Sequence, residues 1–226
     1  MSPISLYEFG SEEIVLREVQ SRFVSLFQGF APVLDVGCGR GVFLELMSAA
    51  GIETIGGDHA HESLEYCRNK GFSVFSGEAP DFLATHRGCF GGIFCSHVIE
   101  HMGYEDALNF LKLCHKALRP GGRILLVTPN PEDISIMNEI FWLDPTHVRP
   151  YPRKLLESML ETVGFKVITS RQFLGSWRMI GRRHFPMYLL RRLLLGRYYG
   201  KPNTLVLASS IAQIAAPEKP FCQSQS

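Results

Sequence analysis

Four side chains in this sequence have the types and spacing to move a proton: His97, Glu100, His101 and, further on, His147. Imidazole is the side chain best suited to reversible proton transfer near pH 7. A helical turn through Cys95-Ser-His-Val-Ile-Glu-His101 would put His97 and His101 on one face beside Glu100. His147, within Asp144-Pro-Thr-His-Val-Arg149, joins them if that loop folds back. Such a set offers a base to a hydroxyl nucleophile, which is poor at neutral pH without one. Upstream, Gly37, Gly39 and Gly41 follow an apolar run at alternate positions, a pattern that lets a ligand approach the backbone. The dinucleotide fingerprint fails at Val42, and no Lys-Ser/Thr pair completes a phosphate loop. Asp35, two residues before the first glycine, would repel a pyrophosphate but suits an amino group or a sulfonium. Asp58, 19 residues after Gly39, is placed to accept hydrogen bonds from ribose hydroxyls. Together the two carboxylates fit a nucleoside that carries an amino acid and a positive sulfur.

These residues need a frame. Val33–Val36 reads as a buried strand entering a tight turn, and Val42, Phe43, Leu44, Leu46 and Met47 have the spacing of a helix packed on a sheet. Further strands are expected near 53–57, 73–75, 90–95 and 122–128, with helices near 42–50, 61–70, 79–85 and 104–118. Gly51, Gly71 and Pro120-Gly121-Gly122 punctuate them. Strands alternating with helices imply an α/β fold with a parallel sheet and a ligand crevice beyond its carboxyl ends. Ser11 is a plausible N-cap for a helix whose apolar face runs from Ile14 to Phe27. A helix at 152–163 and strands at 165–172 and 203–209 complete the pattern.

With the motifs in place, the chain resembles the class I S-adenosylmethionine (SAM)-dependent methyltransferases. Leu118-Arg-Pro-Gly-Gly-Arg-Ile-Leu-Leu-Val-Thr-Pro-Asn130 is similar to their fifth-strand region, and Cys95 to His101 to their fourth motif. Phe141-Trp-Leu-Asp-Pro-Thr-His-Val-Arg-Pro150 and Gly10-Ser-Glu-Glu-Ile14 resemble a bacterial subgroup associated with cell-surface polysaccharide biosynthesis. The resemblance covers roughly residues 5–172. It implies a Rossmann-like fold, a mostly parallel seven-stranded sheet with helices on both faces. It divides the chain into a helical cap (1–30), a SAM-binding core (31–172), a basic–apolar insertion (173–202), a last strand (203–216) and a disordered tail (217–226).

The resemblance also implies roles. Asp35 and the backbone of Gly37, Cys38 and Gly39 would hold the methionine part, Asp58 the ribose, and His59 would lie beside the adenine. Gly77-Glu78-Ala79 stands where the family has Gly-Asp-Ala, so Glu78 would face the adenine amino group. Ser96 and His97 would line the cleft under the sulfonium, with His101 or His147 as base and Glu100 beside them. Arg149 and Tyr151 would grip an acceptor sugar or phosphate; capping the helix at 152–163 is the alternative for them. Glu-x-x-Glu-His with a later His binds a divalent metal in methyltransferases of small RNAs and, in a related form, of quinone precursors. Here the first carboxylate is His97, and nitrogen-rich ligation would suit zinc or iron over magnesium. SAM is the expected cofactor; a metal is not.

Composition sets further bounds. The 226 residues carry a net charge of +1, but no acid lies between Glu161 and Glu218, where nine Lys and Arg fall. The remainder is therefore at −8, and an anionic partner is expected for the C-terminal third. The six cysteines include no CxxC pair and read as reduced thiols in a cytosolic protein. No signal peptide or membrane-spanning run is apparent, because Arg191 and Arg192 split the longest apolar stretch. Residues 174–202 interleave arginines with bulky apolar side chains, which suits an anionic membrane surface, a lipid-linked glycan or a helix packed on the sheet. No recognisable RNA-binding module is present, so nucleic acid is not the expected partner. The expected location is the cytoplasm, peripheral at the inner membrane face. The expected acceptor is a sugar or phosphate of a surface glycan or lipid-linked intermediate, with a small phenolic or quinone-like acceptor as the alternative.

Overall fold

A computed structural model describes residues 13–174 and 185–211. Seven strands form one sheet: β1 Val33–Val36, β2 Thr54–Asp58, β3 Val74–Ser76, β4 Phe90–Ser96, β5 Leu118–Pro129, β6 Phe165–Phe173 and β7 Asn203–Ser210. Their order is β3-β2-β1-β4-β5-β7-β6. β7 runs antiparallel to both β5 and β6, and the other pairs are parallel. β1 lies between β2 and β4, so the strand order reverses there and opens a crevice outside the carboxyl ends of β1 and β4. The expected Rossmann-like methyltransferase fold is thus borne out.

The helices are α1 Glu13–Ser21, α2 Val42–Ala49, α3 His61–Asn69, α4 Ala79–Thr85, α5 Tyr104–Ala117, α6 Phe141–Leu143, α7 Arg153–Thr162 and α8 Phe185–Leu195. On one face of the sheet, Phe110, Leu111 and Cys114 of α5 and Leu156 and Leu160 of α7 bury against Leu34, Ile93 and Leu126. On the other, Phe23, Phe27, Phe43 and Met47 cover Val33, Phe94 and Leu125. The Phe43 and Phe94 rings lie 4.0 Å apart. Each such burial stabilises by about 1.5–3 kcal/mol, which makes the strand ends under the crevice a firm base.

Two expectations need correction. The N-terminal helix is broken: α1 stops at Ser21, and Val24–Phe27 continues as a tighter 3-10 turn that still buries Phe27. The proposed cap at Ser11 lies outside the described residues, as does the tail at 217–226. Pro120-Gly121-Gly122 is a bulge inside β5 rather than a turn before it. Phe90 pairs with Leu118 and Gly92 with Arg123, so the bulge takes up the extra residues.

The two chain excursions next to the crevice are tied together. After β5, fully buried Asn130 donates from Nδ2 to the Lys201 carbonyl at 2.8 Å. Asp133, also fully buried, accepts the Lys201 amide at 2.7 Å. A π-helical turn at Ile136–Ile140 then leads into α6. Among the described residues no helix is long and apolar enough to cross a membrane.

Candidate active site

The glycine loop is built by close packing. β2 reads Thr-Ile-Gly-Gly-Asp because both of its glycines touch neighbours: a Cβ on Gly56 would come 2.8 Å from Cys38 Sγ, and one on Gly57 2.0 Å from the Phe75 ring. Gly37 has φ +72°, and a Cβ there would come 2.5 Å from Val98 Cγ2. The Gly37 and Cys38 amides both donate to the Gly57 carbonyl, at 2.8 and 3.1 Å.

Asp58 closes this loop. Its Oδ2 accepts the Gly39 amide at 2.8 Å and its Oδ1 the Ala60 amide at 2.9 Å. Each oxygen keeps a lone pair for a further donor. Asp35 is buried, and burial together with the Asp58 charge pushes its carboxyl up to about 8. Cys38 is buried, and its thiol is pushed up by the same burial. His59 is exposed, its Nδ1 3.7 Å from Asp58 Oδ1. β3 pairs Ser76 with Asp58, and the Gly77 amide donates to the Asp58 carbonyl at 3.2 Å. The Gly77, Glu78 and Ala79 stretch, with Glu78 exposed, therefore starts beside Asp58.

Beyond β4 the chain departs from the expected helical turn. His97 takes a left-handed conformation (φ 56°), and a 3-10 turn at Ile99–His101 follows. His97 and His101 therefore do not share a helix face. Instead His97 Nδ1 meets Glu100 Oε1 at 3.1 Å, while Thr128 Oγ1 donates to Glu100 Oε2 at 3.0 Å. Glu100 is fully buried. Burial works against its ionisation, but the His97 hydrogen bond and charge hold it below the usual carboxylate value. Its carbonyl accepts the amides of Val148 at 2.9 Å and Arg149 at 3.2 Å. Through that backbone carbonyl Glu100 pins the 144–149 loop over the end of β4.

That loop brings the two histidines together, their ring centroids 4.8 Å apart. Nitrogen atoms of His101 and His147 and a Glu100 oxygen lie within 4.8 Å of one another, and His97 is outside this group. His147 Nδ1 meets the Phe141 carbonyl at 2.6 Å. Thr146 Oγ1 lies 2.5 Å from Asp144 Oδ1 and 2.9 Å from His101 Nδ1. Two hydrogen bonds from Thr146 hold Asp144 below the usual carboxylate value against its burial. The threonine thus donates to the carboxylate and accepts from the imidazole. Each histidine also meets a carbonyl through Nδ1, His101 that of Thr146 at 3.3 Å and His147 that of Phe141, while His147 Nε2 lies 3.9 Å from Asp144 Oδ2.

Tyr151 is corrected. It is fully buried, with its hydroxyl on the Met102 carbonyl at 2.9 Å, so it cannot touch an acceptor. Arg149 is half-buried, its guanidinium 5.2 Å from the Tyr151 ring and 5.8 Å from that of Tyr104. α7 begins without a side-chain cap, so neither residue caps it. The sequence reading missed Thr128, Phe141, Asp144 and Thr146; only the Asp-x-Thr spacing signalled a side-chain turn. It also missed a cleft of about 300 Å³ lined by Ile134, Ser135, Asn138, Ile140, Arg191, Leu195 and Tyr199.

Residues 12–170 match the family described as methyltransferase domain. Among curated relatives, a ubiquinone biosynthesis O-methyltransferase from Aromatoleum aromaticum is 34% identical over 104 residues, 43% of this chain and 44% of the relative. The mitochondrial enzyme of that name from Rattus norvegicus is 26% identical over 156 residues, 61% of this chain and 45% of the relative. The chain thus spans less than half the length of these relatives. A solved SAM-dependent methyltransferase from Archaeoglobus fulgidus superposes with a TM-score of 0.77 at 26% identity, covering 91% of this chain and 97% of that one. Family and fold indicate SAM as cofactor, and the residues present fit it. A buried acid raised by burial and an acidic neighbour is ionised most favourably by an incoming cation. The space above Gly77 is open where a Cβ would stand. On the match over residues 12–170, the chain belongs to the methyltransferase domain family.

Proposed function

We propose that the protein is a SAM-dependent O-methyltransferase in which the His101–His147 pair takes the proton from an acceptor hydroxyl. The observation that carries this reading is the approach of the two imidazoles to 4.8 Å, each with Nδ1 engaged. Bound SAM supplies a methyl group on a sulfonium. Asp35 and the Gly37–Gly39 backbone hold its amino-acid end, Asp58 the ribose, and His59, Glu78 and Ala79 the adenine. Ser96 and His97 lie under the reacting centre. With the cofactor fixed, alignment and exclusion of water supply most of the acceleration, and the histidine base adds roughly 10²–10⁴-fold. Glu100 holds the loop that carries His147.

The acceptor we propose is a sugar or phosphate of a surface glycan or lipid-linked intermediate, handled in the cytoplasm at the inner membrane face. The resemblance of residues 141–150 supports it, and so does Arg149, whose planar guanidinium suits a phosphate. A second reading, a phenolic or quinone-like acceptor with a divalent metal, is favoured by the names of the relatives and by the Glu100–His101–His147 group. Small rotations would bring those atoms to the roughly 3.4 Å spacing of tetrahedral ligands at about 2.1 Å from zinc. Mass spectrometry of products from nucleotide sugars, lipid-linked sugars and phenols, each offered with SAM, tests the two. Methylated phenol alone overturns the first reading. Turnover unchanged after thorough chelation removes the metal from the second.

A further inference from the structure

α8 is built inside out. A surface helix ordinarily turns its apolar stripe inward and its polar face to water. Here the side toward the body carries Tyr188, Arg192 and Leu195, each half-buried. The Tyr188 ring lies 5.7 Å from Tyr199, and the Arg192 guanidinium donates to the Gly196 and Tyr199 carbonyls. The opposite side presents Pro186, Met187, Leu189, Leu190, Leu193 and Leu194, all exposed, the last two at 82% and 73%. Arg191 flanks that face and lines the cleft, across which stand Ile134 and Ile140. Trp142 and Leu143, just beyond Ile140, are also exposed.

We infer that this face docks the protein on an anionic bilayer surface, with the outward leucines in the acyl boundary and Arg191 at the headgroups. Charge selects among the occupants an apolar face could take. Around this face Arg191 and Arg197 are exposed and residues 185–211 contain no acid, so a second copy would set like charge against like charge. Negatively charged lipid offers apolar depth and the opposite sign together. Trp142 has the amphipathic ring that settles at such a boundary. The inference rests on the peripheral placement proposed above but not on the acceptor's identity.

Co-sedimentation of the full chain with vesicles tests it. Binding is expected with phosphatidylcholine vesicles containing phosphatidylglycerol, weaker binding with phosphatidylcholine alone, and loss of the difference at high salt. The Leu193→Glu, Leu194→Glu double variant should lower the bound fraction about tenfold or more, with SAM affinity by calorimetry unchanged. Arg191→Gln should weaken binding to the anionic vesicles and not to the neutral ones. Full binding by the double variant overturns the inference, as does no binding to anionic vesicles. A wild-type dimer in light scattering that the double variant dissolves overturns it too, in favour of a second copy. Absence of SAM binding in the unaltered chain would count against the cofactor site and not against the docking face.

Discussion

The carbonyl oxygen of Phe141 lies 2.6 Å from Nδ1 of His147, and the two rings sit 4.5 Å apart. A carbonyl only accepts, so the imidazole donates from Nδ1, and its Nε2 lies 3.9 Å from Asp144 Oδ2. His147→Ala and His101→Ala should each lower kcat about 10²–10⁴-fold, with SAM affinity intact. Initial rates and titration calorimetry on the same preparations check this. A variant that keeps full turnover removes its histidine from the role of base.

Asp35 gives the ligand-free protein a pH dependence of unusual sign for an acid. Its carboxyl titrates at about 8 in the folded chain and near 3.8 when unfolded. Between those values the folded state keeps a proton that the unfolded state releases. Stability should therefore fall as pH rises through this window, by up to about 1.4 kcal/mol per pH unit, and level off above it. Asp35→Asn should flatten the slope in denaturant melts taken across that range. The same variant should bind SAM more weakly at pH 8, because a neutral amide does not pair with the cofactor's cationic groups.

Asp58→Ala should loosen the glycine loop and weaken SAM together. It strands the Gly39 and Ala60 amides, at a cost of about 1–3 kcal/mol. Thermal melts should show that loss, and calorimetry about a tenfold or greater drop in affinity. SAM uptake at the wild-type level would remove Asp58 from the site.

Gly57→Ala and Gly37→Ala should both destabilise, but only the first should be rescuable. At Gly57 the obstacle is the Phe75 ring, so adding Phe75→Leu relieves the clash. At Gly37 a Cβ meets Val98 and the backbone is also left-handed. Val98→Ala removes the clash and leaves the backbone strain of about 1–3 kcal/mol. Melts of the four variants would show the difference.

The centre of the sheet was legible because β1 is a short apolar run closed by glycine and β2 ends on a carboxylate, local signals that need no partner. β2 and β3 fall within one residue of the expected spans. The ends of the site were harder. Nothing in Ser96-His97-Val98 announces a left-handed histidine, since that conformation is imposed by the Glu100 carboxylate and the loop above it. Tyr151 read as a ligand contact because its neighbour is Arg149, yet its burial is decided by Met102, far off in sequence. The inverted face of α8 could not be read either. Its leucines surround the Arg191–Arg192 pair on both sides, and the packing of Tyr188 shows which side is inward.

The Lys201 amide and carbonyl, gripped by Asp133 and Asn130, carry one further consequence. They fasten the segment returning from α8 to the start of the excursion that ends at His147. Two bonds thus rivet the return from α8 to the stretch of chain that leads to His147.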